Sequence, residues 1–297
     1  MRFRNLIFTL SLGFLLLGRN TYAQDATHLV DVVYGHKLGV ALTMDVFKPE
    51  KPNGIGVLWM VSGGWVSNHN SISPQIAKVF TDQGQTVFEV VHGSQPKFTL
   101  PEIMLDINRA VRFVRFHAKE YGVDPDRLGI SGGSAGGHLS TMMGCYGTEG
   151  NPNASDPVDK VSSRVQCVAC FYPPTDFLNY GEEGKAAFDN PMLRPYYPVF
   201  GLPESAPRED KVKVLRSLSP IYGDLKSAPP TFIIHGEADT LVPIQQSERL
   251  LGKLKDAGVE TKLERRPGKG HGWAGQEKDA ILLADWFTSH LGKKAAN

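Results

Sequence analysis

Gly132-Gly133-Ser134-Ala135-Gly136 sets a serine among small residues in the pattern G-x-S-x-G. The motif directly follows the apolar Leu128-Gly129-Ile130 and runs toward a helical stretch, His138 to Cys145, so a strand, a sharp turn and a helix are expected in succession. Small flanking residues let the backbone turn tightly and lift the serine oxygen clear of a sheet. The N-terminus of the following helix stabilises negative charge arising beside it. The chemistry this allows is nucleophilic attack by Ser134. A serine hydroxyl is a poor nucleophile near neutral pH, so it needs a base to take its proton and an acid to orient that base. Without such partners the same residues are only a glycine-rich structural turn.

Two downstream segments can supply the partners. Phe232-Ile-Ile-His-Gly-Glu-Ala-Asp239 ends an apolar strand, and His271 lies in the glycine-rich Gly268-Lys-Gly-His-Gly-Trp273 after the last expected strand. Strand ends of a parallel sheet converge on one rim, so Ser134, Asp239 and His271 can meet there despite their separation. Asp176 and Glu237 are rival acids. His235 closes its strand and reads as a structural hydrogen-bonding group, and His138 lies in the helix behind the serine. His92 and His117, with neither acid nor serine context, read as surface or packing residues. Acyl transfer also needs N–H donors for an oxyanion. Ala135, next to the serine, can give one. Val61-Ser-Gly-Gly-Trp65, after the Ile55 to Val61 strand, can give the other, with Gly63 and Gly64 the best donors because no side chain blocks close approach. Trp65 either walls the substrate pocket or packs the loop.

The elements that must position these groups alternate. His28 to Tyr34 and Val40 to Phe47 read as antiparallel strands around a Gly35 to Gly39 turn. Continuous apolar runs at Ile55 to Val61, Thr86 to Val91, Val165 to Tyr172 and Pro230 to His235 read as strands covered on both faces. Between them fall helices at Ser73 to Gln83, Pro101 to Tyr121 and Gln245 to Ala257, then a strand at Val259 to Leu263 and a helix at Asp279 to Leu291. The alternation predicts one α/β domain over residues 24–297, with a mostly parallel twisted sheet and helices on both faces. Phe177 to Pro220, rich in Pro, Gly and aromatic residues, shows no period and reads as a cap-like or lid insertion. Cys167 and Cys170 resemble a redox pair in spacing, but on a strand they point to opposite faces, and with Cys145 they read as buried apolar residues. No His/Cys spacing suits a metal, and no metal or cofactor is expected.

Of the 297 residues 41% are hydrophobic and 21% charged, which fits a globular chain with a large core and excludes disorder. A net charge of +1 offers no field to hold nucleic acid or an anionic membrane. The expected partner is a small-molecule or polysaccharide ester, and the oligomeric state is not encoded legibly. Arg2 and Arg4 precede an apolar run, Leu6 to Gly18, and a polar stretch ending at Ala23. That is the form of a signal peptide spanning residues 1–23. The run is too short for a stable membrane anchor, so a secreted or periplasmic protein is expected.

Taken together, Leu42-Thr-Met-Asp-Val-Phe-Lys-Pro49, Gly63-Gly-Trp65, Asp124 to Gly137, His235 to Asp239 and Gly270-His-Gly-Trp273 resemble the α/β-hydrolase superfamily. Within it they are similar to the esterase/lipase branch of secreted bacterial carbohydrate esterases, the feruloyl and acetyl xylan type. The resemblance runs from about Val32 to Leu291. It implies an α/β-hydrolase fold, a Ser134–His271–Asp239 triad, an acyl-enzyme and short-chain acyl esters of carbohydrates as substrates. Two departures stand out. Val61 and Ser62 replace the His and first Gly of the usual His-Gly-Gly-Gly-Trp, and Val90-Val-His-Gly-Ser94 lacks the usual Tyr-Arg. A prolyl-oligopeptidase-type peptidase shares the motifs but normally carries a large N-terminal domain, for which this length leaves no room. A catalytically silent hydrolase fold used for binding is the reading from a different class.

Overall fold

The structure, a computed structural model, describes residues 27–292. The segment read as a signal peptide, residues 1–23, lies outside the described residues. Strands β1 (Thr27–Lys37) and β2 (Val40–Lys48) form an antiparallel hairpin. Its turn is Leu38-Gly39 alone, both at positive φ, rather than the whole of Gly35 to Gly39, because Gly35 and His36 stay paired with Leu42 and Ala41.

From there β-strands and helices alternate: β3 (Gly54–Met60), α1 (Pro74–Thr81), β4 (Thr86–Val90), α2 (Leu100–Phe116), β5 (Val123–Gly132) and α3 (Ala135–Tyr146), then β6 (Cys167–Phe171), α4 (Arg208–Ser217), β7 (Thr231–Gly236), α5 (Gln245–Asp256), β8 (Thr261–Arg266) and α6 (Gln276–Leu291). The eight strands make one sheet in the order β1-β2-β4-β3-β5-β6-β7-β8, antiparallel at β1, β2 and β4 and parallel from β4 onward. Every residue of β4, β6 and β7 is buried, as their continuous apolar runs require of strands covered on both sides.

Helix starts carry their own signals. Ser73 Oγ accepts the Ile76 N–H with Pro74 in the first turn of α1, and Thr99 and Glu102 form a capping box on α2. The apolar stripe Ile103, Ile107, Ala110, Val111 and Val114 turns α2 onto one face of the sheet, where α3 and α5 also pack. Helices α1 and α6 cover the other face through Phe80, Leu283 and Phe287. The expected helix to Tyr121 is broken at His117 and finishes as a 3-10 turn that Gly122 closes at φ +70.

The stretch 177–220 is more regular than its composition suggests, for it contains α4 and several 3-10 turns. Helix α4 buries only Leu215, so it has no apolar stripe from which a period could be read.

Cys167 and Cys170 fall in the cores on opposite faces of the sheet, and all three cysteines are free and buried. Burial pushes the Cys145 thiol up to about 12 and those of Cys167 and Cys170 well above their ordinary range. A thiol-reactive dye should therefore label the native chain very slowly and titrate all three sulfurs once guanidinium unfolds it. Rapid labelling of either strand cysteine in the folded state would contradict its placement in the core.

Candidate active site

Ser134 sits at φ +54 and ψ −118 between β5 and α3. This backbone conformation costs a residue with a Cβ on the order of 1–3 kcal/mol and must be imposed by its surroundings. The Ser134 N–H donates to the Phe171 carbonyl at 3.1 Å, and the Gly136 N–H closes the turn onto Gly133 at 2.8 Å. A Cβ on Gly132 would lie 2.7 Å from the Gly136 carbonyl carbon, and one on Gly136 would lie 2.6 Å from the Met60 carbonyl oxygen. The small residues of the motif are thus what lets α3 begin directly after Ser134, three residues earlier than its expected start at His138.

The loops after β7 and β8 bring Asp239 and His271 to this turn. His271 Nε2 lies 2.8 Å from Ser134 Oγ, and its Nδ1 lies 2.7 Å from Asp239 Oδ2. Since the carboxylate accepts, the proton belongs on Nδ1 and the Nε2 lone pair faces the serine hydroxyl. Burial pushes the Asp239 carboxyl up. Hydrogen bonds from His235, His271 and the Val242 N–H outweigh that and hold it well below the usual carboxylate range. Its second oxygen takes the N–H groups of Leu241 at 3.0 Å and Val242 at 2.9 Å, which fixes the carboxylate plane. Tyr172 packs its ring 4.7 Å from that of His271 and donates its hydroxyl to Gln276.

The rival residues are occupied elsewhere. Asp176 is buried against Arg249, Asn179 and Tyr222. Glu237 is exposed, 3.8 Å from Arg265. His235 donates to the Val242 carbonyl, meets Ser247 and lies with Nε2 3.5 Å from Asp239 Oδ2, while His117 pairs with Glu120 at the surface. His138 is wholly buried, between Trp65 Nε1 and the Leu218 carbonyl.

The donors for an oxyanion sort differently from expectation. The Ala135 N–H opens α3 and has no partner among the described residues, and the same holds for the Gly64 N–H. The Gly63 N–H, expected as a third donor, is given to the Val66 carbonyl at 3.0 Å. Residues 63 and 66 pair as a miniature antiparallel bridge, which turns that N–H inward. Gly64 sits at φ +55, with the Tyr196 ring so close that a Cβ would approach it to 2.6 Å. Trp65 takes the packing role of the two left open. Its ring is 5% exposed and lies among His138, Phe177, Tyr196 and Phe200, so it ties the loop to the insertion.

Sequence reasoning missed His92. It is buried, with Nδ1 2.6 Å from the Gly93 carbonyl and Nε2 2.9 Å from Ser62 Oγ. The carbonyl requires a proton on Nδ1, so Ser62 donates to Nε2. The Ser62 carbonyl in turn accepts the Gly136 N–H at 3.2 Å. Gln95 reaches the same loop, donating through Nε2 to the Gly64 carbonyl at 2.6 Å. The available signal was that residues 62 and 92 both depart from the pattern the chain otherwise resembles.

A family model described as BD-FAE matches residues 44–254. The chain belongs to the BD-FAE family. It is 29% identical, over 80% of its length, to the probable carboxylic ester hydrolase LipM of Mycobacterium tuberculosis, of which it covers 54%. It is 30% identical, over 69% of its length, to esterase LipQ of the same organism, of which it covers 47%. The chain thus spans about half the length of these curated relatives. Among solved structures, a truncated carbohydrate esterase from gut microbiota superposes with a TM-score of 0.75 at 25% identity, over 92% of this chain and 99% of that one. This BD-FAE chain therefore has the α/β-hydrolase fold, with Ser134 at the turn after β5 and the loops of β7 and β8 beside it.

Three buried groups of the BD-FAE chain make its stability depend on pH. Burial lowers His92 to about 4 and His138 to about 4, each partly offset by a hydrogen bond to a carbonyl. Burial raises Glu89 to about 7, against the Ser73 N–H and with the Asp45 charge. Between pH 6.5 and 4.5 the unfolded chain binds up to two extra protons on the histidines, and the folded chain binds one extra on Glu89. The net is one proton, so unfolding free energy should fall on acidification by at most about 1.4 kcal/mol per pH unit. Urea melts at stepped pH should show this slope in the wild type and a nearly flat profile in His92→Gln.

Proposed function

We propose that this protein is an exported serine esterase that cleaves short-chain acyl esters of carbohydrates through an acyl-enzyme. The observation that carries the reading is the hydrogen-bonded line Asp239–His271–Ser134, ending beside two N–H groups, those of Ala135 and Gly64, that have no partner among the described residues. Ser134 Oγ attacks the ester carbonyl carbon as its proton passes to His271 Nε2. The negative charge that develops on the carbonyl oxygen is held by the Ala135 and Gly64 N–H groups, with the N-terminus of α3 behind them. Collapse of the tetrahedral adduct expels the alcohol, which takes the proton from His271. Water then repeats the sequence against the acyl-serine, releasing the acid and restoring the hydroxyl. Asp239 keeps the imidazole in the tautomer that can accept and stabilises it once charged.

The carbohydrate ester is supported by the likeness to the gut carbohydrate esterase and by the resemblance of the motifs. Export is supported by the arginine-led apolar run at residues 2–18. The Tyr196 ring over Gly64 narrows the space next to the oxyanion donors, which favours small acyl groups.

Purified protein should hydrolyse p-nitrophenyl acetate, and Ser134→Ala should lower that rate by about 10,000-fold or more. Gly64→Ala should lower kcat by roughly 100-fold, since the new Cβ disturbs one of the two donors. Release of p-nitroaniline from an aminoacyl anilide in place of ester turnover would mark a peptidase. Turnover of neither would mark a binding protein.

A further inference from the structure

The sequence carries no metal-ligand spacing, but the fold assembles a donor set on the β1–β2 hairpin. Strand β1 carries a bulge opposite Asp45, because Leu29 pairs with Val46 and Val32 with Met44. The bulge holds Asp31 at φ +56 and points its N–H at Asp45 Oδ1, 3.1 Å away. His69, from the turn after the loop that carries Gly64, brings its Nε2 to 3.4 Å from Asp31 Oδ1. One donor atom from each of Asp31, Asp45 and His69 lies within 4.8 Å of the other two.

A second observation points to a cation. Glu89 faces Asp45 directly across the β2–β4 ladder and is fully buried. Its Oε2 accepts the N–H of Ser73, four residues after His69, at 2.7 Å, and its Oε1 has no hydrogen-bond partner among the described residues. Among the described residues neither Lys nor Arg pairs with Asp31, Asp45 or Glu89; His28 Nε2 lies 2.7 Å from Asp45 Oδ2 and His69 Nε2 lies 3.4 Å from Asp31 Oδ1. Two carboxyl groups side by side out of water, one of them with an unsatisfied oxygen, are a costly arrangement that a cation beside them would relieve.

We propose that Asp31, Asp45 and His69 form a binding site for a zinc-class divalent cation, with Glu89 as a buried outer carboxylate. The donor chemistry selects the class. An imidazole nitrogen with two carboxylates suits zinc and its neighbours, whereas calcium takes a fuller set of oxygens. Ligand atoms about 2.0–2.2 Å from a tetrahedral zinc ion lie roughly 3.3–3.5 Å from one another. The Asp31–His69 pair already stands at 3.4 Å. The Thr43 hydroxyl, 3.0 Å from His69 Nε2, occupies the lone pair the ion would use, so entry exchanges that hydrogen bond for a coordinate bond. None of these residues belongs to the Ser134 site. The ion would clamp the far end of the loop that begins at Val61 to the hairpin.

The test uses the full-length, untagged chain stripped with a chelator and titrated calorimetrically with zinc chloride. We expect one ion per chain, a rise in Tm on adding zinc, and its reversal by EDTA. Asp31→Asn and His69→Ala should each weaken zinc binding by roughly tenfold or more. Both side chains are largely exposed, at 63% and 49%, so the metal-free variants should melt within a few degrees of the metal-free wild type. Absence of zinc binding, equal affinity in the wild type and both variants, or calcium bound in preference to zinc would each overturn the assignment.

Discussion

The strained backbone at Ser134 is the constraint on which the rest of the molecule depends. A serine at φ +54 survives only where the chain on both sides is over-determined. Here β3, β5 and β6 press so closely on the start of α3 that side chains at Gly132 and Gly136 would collide with backbone. The continuous apolar runs of the central strands therefore do more than bury surface. They hold the sheet rigid enough that the turn cannot relax. The same rigidity fixes where β7 and β8 end, and hence where Asp239 and His271 can be delivered.

Around that fixed point the loop 61–67 is held by polar bonds rather than by apolar packing alone. Ser62 is tied to His92 through its side chain and to Gly136 through its carbonyl, and Gln95 holds the Gly64 carbonyl. Trp65 anchors the loop from the other side, under Phe177, Tyr196 and Phe200 of the insertion. The two departures from the usual pattern, at residues 62 and 92, are thus one device. A buried neutral imidazole accepts from a serine hydroxyl and holds the loop in place of the residues found elsewhere.

Much of this was legible in advance, and the reason is local. Ser134, Asp239 and His271 each sit in a short motif at the end of a readable strand, and parallel topology sends strand ends to one rim. The Gly63 N–H was misassigned because its fate depends on pairing with Val66, a bridge too short to leave a pattern. His92 was passed over because its partner, Ser62, is 30 residues away and on a different strand end. Helix α4 was missed since it buries almost nothing. The grouping of Asp31, Asp45 and His69 was invisible for a similar reason, because a bulge sets it and bulges break the alternation by which strands are read.

The loop that begins at Val61 is consequently gripped at three places by groups that serve different ends. His92, through Ser62, and Gln95, through the Gly64 carbonyl, hold the part of the loop nearest Ser134. Tyr196 covers the face of Gly64, so the insertion bears on what acyl group can reach it. His69 leads the loop back to the hairpin, where Asp31 and Asp45 wait. Because Tyr196 packs on Gly64 while Phe177 and Phe200 pack on Trp65, the insertion and the loop are coupled, and a change in one is felt by the other.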